Sequence, residues 1–145
     1  MRVIAAVDAG TRVSNPGPSA IAAVLRDDAG KLLVQDSSYI GDRTNNLAEW
    51  SALALALELA ARLTVPFEAL EVRSDSRLVC QQALGRWRVR GHLKDLHGEC
   101  QARARNLRAV GVEVTVRWVQ REENVEADRL VSDLLDEVTE RTRGY

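Results

Sequence analysis

Val3-Ile4-Ala5-Ala6-Val7-Asp8-Ala9-Gly10 is the stretch on which the fold turns. Five apolar, partly β-branched residues lead into an acid, a small residue and a glycine, the pattern of a buried strand that runs into a turn. After it, Thr11 to Pro18, with Ser14-Asn15-Pro16-Gly17-Pro18 inside, reads as a loop. Ser19 to Arg26 and Lys31 to Ile40 are two further strands joined by Asp27-Asp28-Ala29-Gly30, an Asp/Gly hairpin connection, so an antiparallel three-strand meander opens the chain. Asn45 to Leu63 then changes character. It is rich in Ala and Leu and apolar on nearly every face, which predicts a helix packed centrally against a sheet. Pro66 closes the connection after it, and Leu70 to Arg73 is a fourth strand. Helices are predicted over Ser76 to Leu84 and over Leu93 to Val110, the second ending at Gly111. Val112 to Trp118 alternates as a fifth strand, and a last helix runs from Asn124 to about Glu140. The order βββαβααβα, without repeat or low-complexity linker, predicts an α/β fold: a five-stranded mixed sheet flanked by helices, with strands one, four and five parallel.

At 145 residues the chain fits one domain, residues 1–145, and 46% hydrophobic with 28% charged residues excludes a disordered or fibrous composition. The start at Met1-Arg2 lacks a signal-peptide cleavage region, and no apolar stretch is both long and uncharged enough to span a bilayer. A cytoplasmic monomer without a membrane partner is the expectation. Cys80 and Cys100 fall in predicted helices without nearby zinc-ligand spacing, and read as reduced, packed thiols. The net charge of −1 hides an uneven distribution, because Arg73 to Arg108 holds nine Lys/Arg against three Asp/Glu. A basic middle beside acids elsewhere suits a polyanion held by one surface and attacked at another.

Four of those acids, Asp8, Glu49, Asp75 and Asp128, each lie at the edge of a different predicted core segment. Each has a structural explanation alone. Asn46-Leu47-Ala48-Glu49 makes a capping box, Asp75 is an N-cap candidate, Asp128 suits the positive end of a helix, and Asp8 is an ordinary turn residue. If all four converge, carboxylate repulsion in a partly dry pocket demands cations. Two hard divalent ions about 3.5–4 Å apart would then form a clamp for phosphoryl transfer.

Four pieces carry a resemblance. Asp8-Ala9-Gly10 leads to Asn15-Pro16-Gly17-Pro18; Thr44-Asn45-Asn46-Leu47-Ala48-Glu49 follows, then Ser74-Asp75-Ser76, then Arg121-Glu122-Glu123-Asn124-Val125-Glu126-Ala127-Asp128. In this order and at these boundaries the chain resembles ribonuclease H of type 1 over almost its full length. The resemblance implies the ribonuclease H-like fold and hydrolysis of the RNA strand of RNA·DNA hybrids with Mg²⁺ or Mn²⁺. It implies that Asp8, Glu49, Asp75 and Asp128 hold two ions when substrate is bound, with Asp8 bridging them, and that the products carry 5′-phosphate and 3′-hydroxyl ends. Asn15 and Asn45, with loop amides near Gly10, resemble the contacts to the RNA strand, where an amide can both donate to and accept from a 2′-hydroxyl. Thr44 and Asn46 resemble the residues that grip a phosphate of the DNA strand.

The chain also departs from the family pattern. Val13-Ser14 stands where a single Gly is common before Asn15, and Arg77 stands where a groove-contacting Gln is often found. No His lies between Trp118 and Asp128; Arg121 occupies a shortened loop there. A guanidinium stays charged and cannot shuttle protons near neutral pH, so the expected role of Arg121 is product departure or scissile-phosphate binding, against a surface pair with Glu122 or Glu126. The stretch between Leu84 and Leu93 is too short for the basic protrusion of longer relatives, leaving Arg86, Trp87, Arg88, Arg90 and Lys94 as candidate hybrid contacts. Trp50 and Trp118 read as packing residues, and His92 and His97 are assigned no chemistry. Two other classes compete: a catalytically weak or inactive hybrid-binding domain, and a DNA nuclease or recombinase on the same architecture.

Overall fold

β1 (Arg2–Thr11) is the central strand of a five-stranded sheet ordered β3-β2-β1-β4-β5. The computed structural model describes residues 1–84, 91 and 93–143. β2 (Gly17–Asp27) and β3 (Leu32–Arg43) complete the antiparallel meander, while β4 (Ala69–Ser74) and β5 (Glu113–Trp118) add in parallel on the other side. The helices are α1 (Asn45–Ala61), α2 (Arg77–Ala83), α3 (Leu93–Ala109) and α4 (Val125–Arg143), and a 3₁₀ turn at Arg121–Glu123 precedes the last. Order and strand directions agree with the sequence reading.

The two-residue period of the strands sorts the core into layers. Val3, Ala5 and Val7 of β1 join Ile21, Ala23 and Leu25 of β2 under α1 and α3, whereas Ala20 and Ala22 face Val131 and Leu135 of α4 on the opposite side. α1 is buried on most of its surface, against the sheet below and α3 beside it, which explains its lack of a polar face. Trp50 lies within it at 1% exposure, donating its indole N–H to Gln82 Oε1 at 2.7 Å, with the His97 ring edge-on to it. Both cysteines are free and buried.

Three strand boundaries differ from the sequence reading in ways that matter for the site. Asp8-Ala9-Gly10 is no turn: β1 continues to Thr11 because its antiparallel ladder with β2 extends to Thr11 opposite Ser19, although its parallel ladder with β4 stops at Val7 opposite Ser74. Asp8 thus stands just past the last β4 partner. Gly10, expected beside loop amides, is in the ladder opposite Ala20, and its role is close approach: a Cβ there would sit 2.8 Å from Val131 Cγ1 of α4. β2 begins at Gly17 and β3 runs on to Arg43, with a register shift between Ser19 and Ala20. The hairpin between them closes as read, with the Asp27 carboxylate accepting from the amides of Ala29 and Lys31, both at 2.9 Å.

The helix caps are also displaced. Thr44, not Asn46, caps α1, its hydroxyl accepting from Leu47 N at 3.2 Å, and Ser76, not Asp75, caps α2, accepting from Val79 N at 3.3 Å. Glu49 and Asp75 are therefore released from the capping duties that offered their simplest structural explanation.

Candidate active site

Asp8 from β1, Glu49 from the second turn of α1 and Asp75 from the end of β4 offer carboxylate oxygens within 4.8 Å of one another. Asp128, in the first turn of α4, and Arg121, on the 3₁₀ turn, complete the wall of a cleft of about 360 Å³ that also includes Ala9, Gly10, Thr11 and Asn45. Asp128 stands outside the tight trio but lies close enough to the Asp8 carboxyl to help raise it. All four acids singled out from the sequence thus face one cleft.

Their electrostatics are those of a crowded, partly dry pocket. Burial, followed by the charge of Asp75 and the proximity of Asp128, raises the Asp8 carboxyl to about 8. Glu49 is pushed well above the usual range by burial and then by Asp8 and Asp75. Asp75 is raised too, chiefly by burial, but the Arg121 charge and the Asn124 side chain pull it back. One oxygen of Glu49, Oε2, is buried without a hydrogen-bond partner. A buried acceptor without a donor is costly, and a hard divalent cation, which takes carboxylate oxygens, would satisfy it and relieve the repulsion. The residues fit such an ion.

Around the trio, the expected substrate residues fall in two groups. Asn15 and Asn45 are both exposed, and Asn15 Oδ1 accepts from Asn45 N at 2.9 Å, tying the loop before β2 to the start of α1. Thr44 is the cap, while Asn46 is half-buried and leaves its Oδ1 without a partner. Val13 is 96% exposed with a φ of 73°, a strained backbone for a β-branched residue. Arg121 is 79% exposed and lies 3.9 Å from Asp128 Oδ1; Glu126 is engaged by Arg26 at 2.6 Å, so the alternative Arg121–Glu126 pair does not form. Trp87 and Arg88, with Arg86, Arg90 and His92, lie outside the described residues.

Two residues that sequence reasoning passed over belong to this site. Asn124, 1% exposed, donates from Nδ2 to Val7 O at 2.7 Å and its side chain reaches Asp75, so it fastens the end of β1, the end of β4 and the start of α4 together. An Asn four residues ahead of Asp128 was the available signal. Trp118, read as a packing residue, is instead 36% exposed; its indole N–H donates to Asp75 O at 3.2 Å and the Arg77 guanidinium lies over its ring, 4.5 Å from the centroid. β5 is an edge strand whose end protrudes past the core, and strand alternation alone does not reveal that.

A family profile described as "Reverse transcriptase-like" matches residues 6–134. The chain is 38% identical over 136 residues to "Ribonuclease HI" of Halobacterium salinarum, covering 94% of this chain and 65% of that protein. It belongs to the type 1 ribonuclease H family. It is also 38% identical over 138 residues to "Bifunctional protein Rv2228c" of Mycobacterium tuberculosis, covering 94% of this chain but 36% of that protein, so the chain spans about a third of the length of this curated relative. Among solved structures, the N-terminal RNase H domain of rv2228c superposes with a TM-score of 0.87 at 34% identity, covering 97% of this chain and 98% of that one. LC11-RNase H1, solved in complex with an RNA/DNA hybrid, gives a TM-score of 0.79 at 33% identity over 94% of this chain and 99% of that one. Asp8, Glu49 and Asp75 meet in an acidic cluster of this ribonuclease H fold that could hold a metal ion. No helix among the described residues is long and apolar enough to cross a membrane.

Proposed function

We propose that this chain is a metal-dependent endoribonuclease that cuts the RNA strand of RNA·DNA hybrids, leaving 5′-phosphate and 3′-hydroxyl ends. The observation that carries the proposal is the convergence of Asp8, Glu49 and Asp75 within 4.8 Å from three separate elements of a ribonuclease H fold. The hybrid-bound LC11-RNase H1, similar along nearly the whole chain, supports the choice of substrate.

Asp8, Glu49, Asp75 and Asp128 would hold two ions when substrate is bound, Mg²⁺ or, as an alternative, Mn²⁺. Such a pair supplies Lewis-acid catalysis to both the attacking and the leaving oxygen of a phosphodiester. The protein's own groups do the placing. The Asn15 carbonyl oxygen is engaged by Asn45 N, which leaves its Nδ2 to donate toward a 2′-hydroxyl, the group that separates RNA from DNA. The Thr44 hydroxyl accepts from Leu47 N and keeps its own proton for a phosphate of the DNA strand, with Asn46 beside it at the positive end of α1. Arg121, at the mouth of the cleft, binds the scissile phosphate or eases product departure. We read residues 1–145 as a single domain that acts as a cytoplasmic monomer.

The test is incubation with labelled RNA·DNA hybrid, duplex DNA and duplex RNA, in Mg²⁺, Mn²⁺ or chelator, beside Asp75→Asn. Cleavage of the hybrid RNA strand that needs the metal and is lost in the variant is the expected result. Hybrid binding without cleavage in either metal would point to a binding domain, and cleavage of duplex DNA to a DNA nuclease.

A further inference from the structure

The acidic cleft repels the phosphate backbone it must engage, so cations at its margin have to be held ready against that repulsion. Arg77 is such a cation. It opens α2, two residues after Asp75, is exposed, and makes no ion pair among the described residues. A free Arg side chain samples many rotamers, but this one rests on the Trp118 ring at 4.5 Å, an arrangement that restrains the guanidinium while leaving its N–H groups to bond outward. The same Trp118 donates its indole N–H to the backbone carbonyl of Asp75 at 3.2 Å.

We infer that Trp118 is a positioning residue which couples substrate grip to metal-ligand placement: its ring face seats Arg77 for a phosphate of the hybrid, and its N–H fixes the Asp75 backbone at the metal cleft. The inference rests on the ribonuclease reading above. A residue that only packed would need neither its 36% exposure nor its contacts with both the Asp75 carbonyl and the Arg77 guanidinium. Because the two contacts use different parts of the indole, they can be separated by substitution.

Three variants, Arg77→Gln, Trp118→Phe and Trp118→Leu, are measured with wild type for kcat, KM, the salt dependence of hybrid binding and, by calorimetry, Mg²⁺ affinity. Arg77→Gln is expected to raise KM about two- to fivefold and to reduce the salt slope of binding by about one unit, with kcat little changed. Trp118→Phe keeps an aromatic face and removes the N–H, so it should retain the wild-type salt slope while lowering kcat and Mg²⁺ affinity about three- to tenfold. Trp118→Leu should show both sets of effects, and adding Arg77→Gln to it should raise KM no further. Thermal melts of all three distinguish these outcomes from general unfolding, and the Phe variant, which preserves most of the packing, keeps the N–H arm testable if the Leu variant is unstable. A wild-type salt slope and KM in Trp118→Leu, or unchanged kcat and Mg²⁺ affinity in Trp118→Phe, overturns the coupling while leaving the ribonuclease reading intact. A wild type that neither binds nor cuts the hybrid overturns both.

Discussion

Asp8→Asn should stabilise the metal-free protein while abolishing its response to Mg²⁺. Burial and neighbouring acids raise this carboxyl from its ordinary 3.8 to about 8 in the folded chain. The unfolded chain keeps the ordinary value, so between those pH values the unfolded state releases a proton that the folded state retains, and stability falls as pH rises. The penalty is absent below about pH 4, grows through neutrality and levels off above about pH 8. At about 1.4 kcal/mol per unit it reaches roughly 4 kcal/mol near pH 7 and roughly 1–2 kcal/mol near pH 5, a ceiling because the acids share the strain. An amide of the same shape carries no such penalty. The variant's advantage in chelator should therefore widen by roughly 2–3 kcal/mol, about 5–10 °C in Tm, between pH 5 and pH 7. Added Mg²⁺ should erode that advantage, since a ligand at a hundredfold its Kd adds about 2.7 kcal/mol to the wild type and little to a variant without the Asp8 carboxylate. Thermal melts followed by circular dichroism at the two pH values, in chelator and then across a Mg²⁺ titration, provide the measurement. A variant that melts at or below wild type in chelator at both pH values, and gains as much from Mg²⁺, would refute the claim that these acids are forced together for a cation.

Gly10→Ala should lose about 1–3 kcal/mol in urea unfolding because its methyl would meet Val131, and Val131→Ala in the same chain should recover part of the loss. An undiminished Gly10→Ala would mean that α4 does not need that close approach. Asn124→Ala strips the buried Val7 carbonyl of its donor, at about 1–3 kcal/mol, and should reduce hybrid cleavage as well, since β1 and Asp75 lose a shared anchor; stability loss with full specific activity would limit Asn124 to the fold. Arg121→Ala is expected to lower turnover about tenfold or more with hybrid binding largely retained. A small effect on kcat removes Arg121 from the chemistry and leaves it a surface residue.

Secondary structure was legible because it is a local property. The apolar run from Val3 to Val7, the Asp/Gly hairpin and the all-round apolar helix after Asn45 each carry their own period, and the element order with its parallel and antiparallel pairings followed from them. The four acids stood out on the same ground, as charges at the edges of apolar segments. Strand ends and caps were less legible. β1 runs through Asp8-Ala9-Gly10 because β2 supplies backbone partners as far as Ser19, and no local turn preference reports on a ladder formed with a distant segment. Thr44 and Ser76 took the caps by the geometry of the chain entering each helix, where three polar residues in a row left the choice open.

By itself, then, the order of residues determined which segments are strands and helices and which acids stand at their ends, since hydrophobic period and charge placement are written along the chain. Only the tertiary structure decided that Asp8, Glu49 and Asp75 share one partly dry cleft with Asp128 at its rim, that Gly10 is there to admit α4, and that Asn124 and Trp118 bond the strand ends that carry Asp8 and Asp75. The physical reason is distance along the chain. Carboxylate repulsion, desolvation and a stacked guanidinium act over a few ångströms in space between residues tens of positions apart, and that proximity exists only once the sheet has brought its strand ends together.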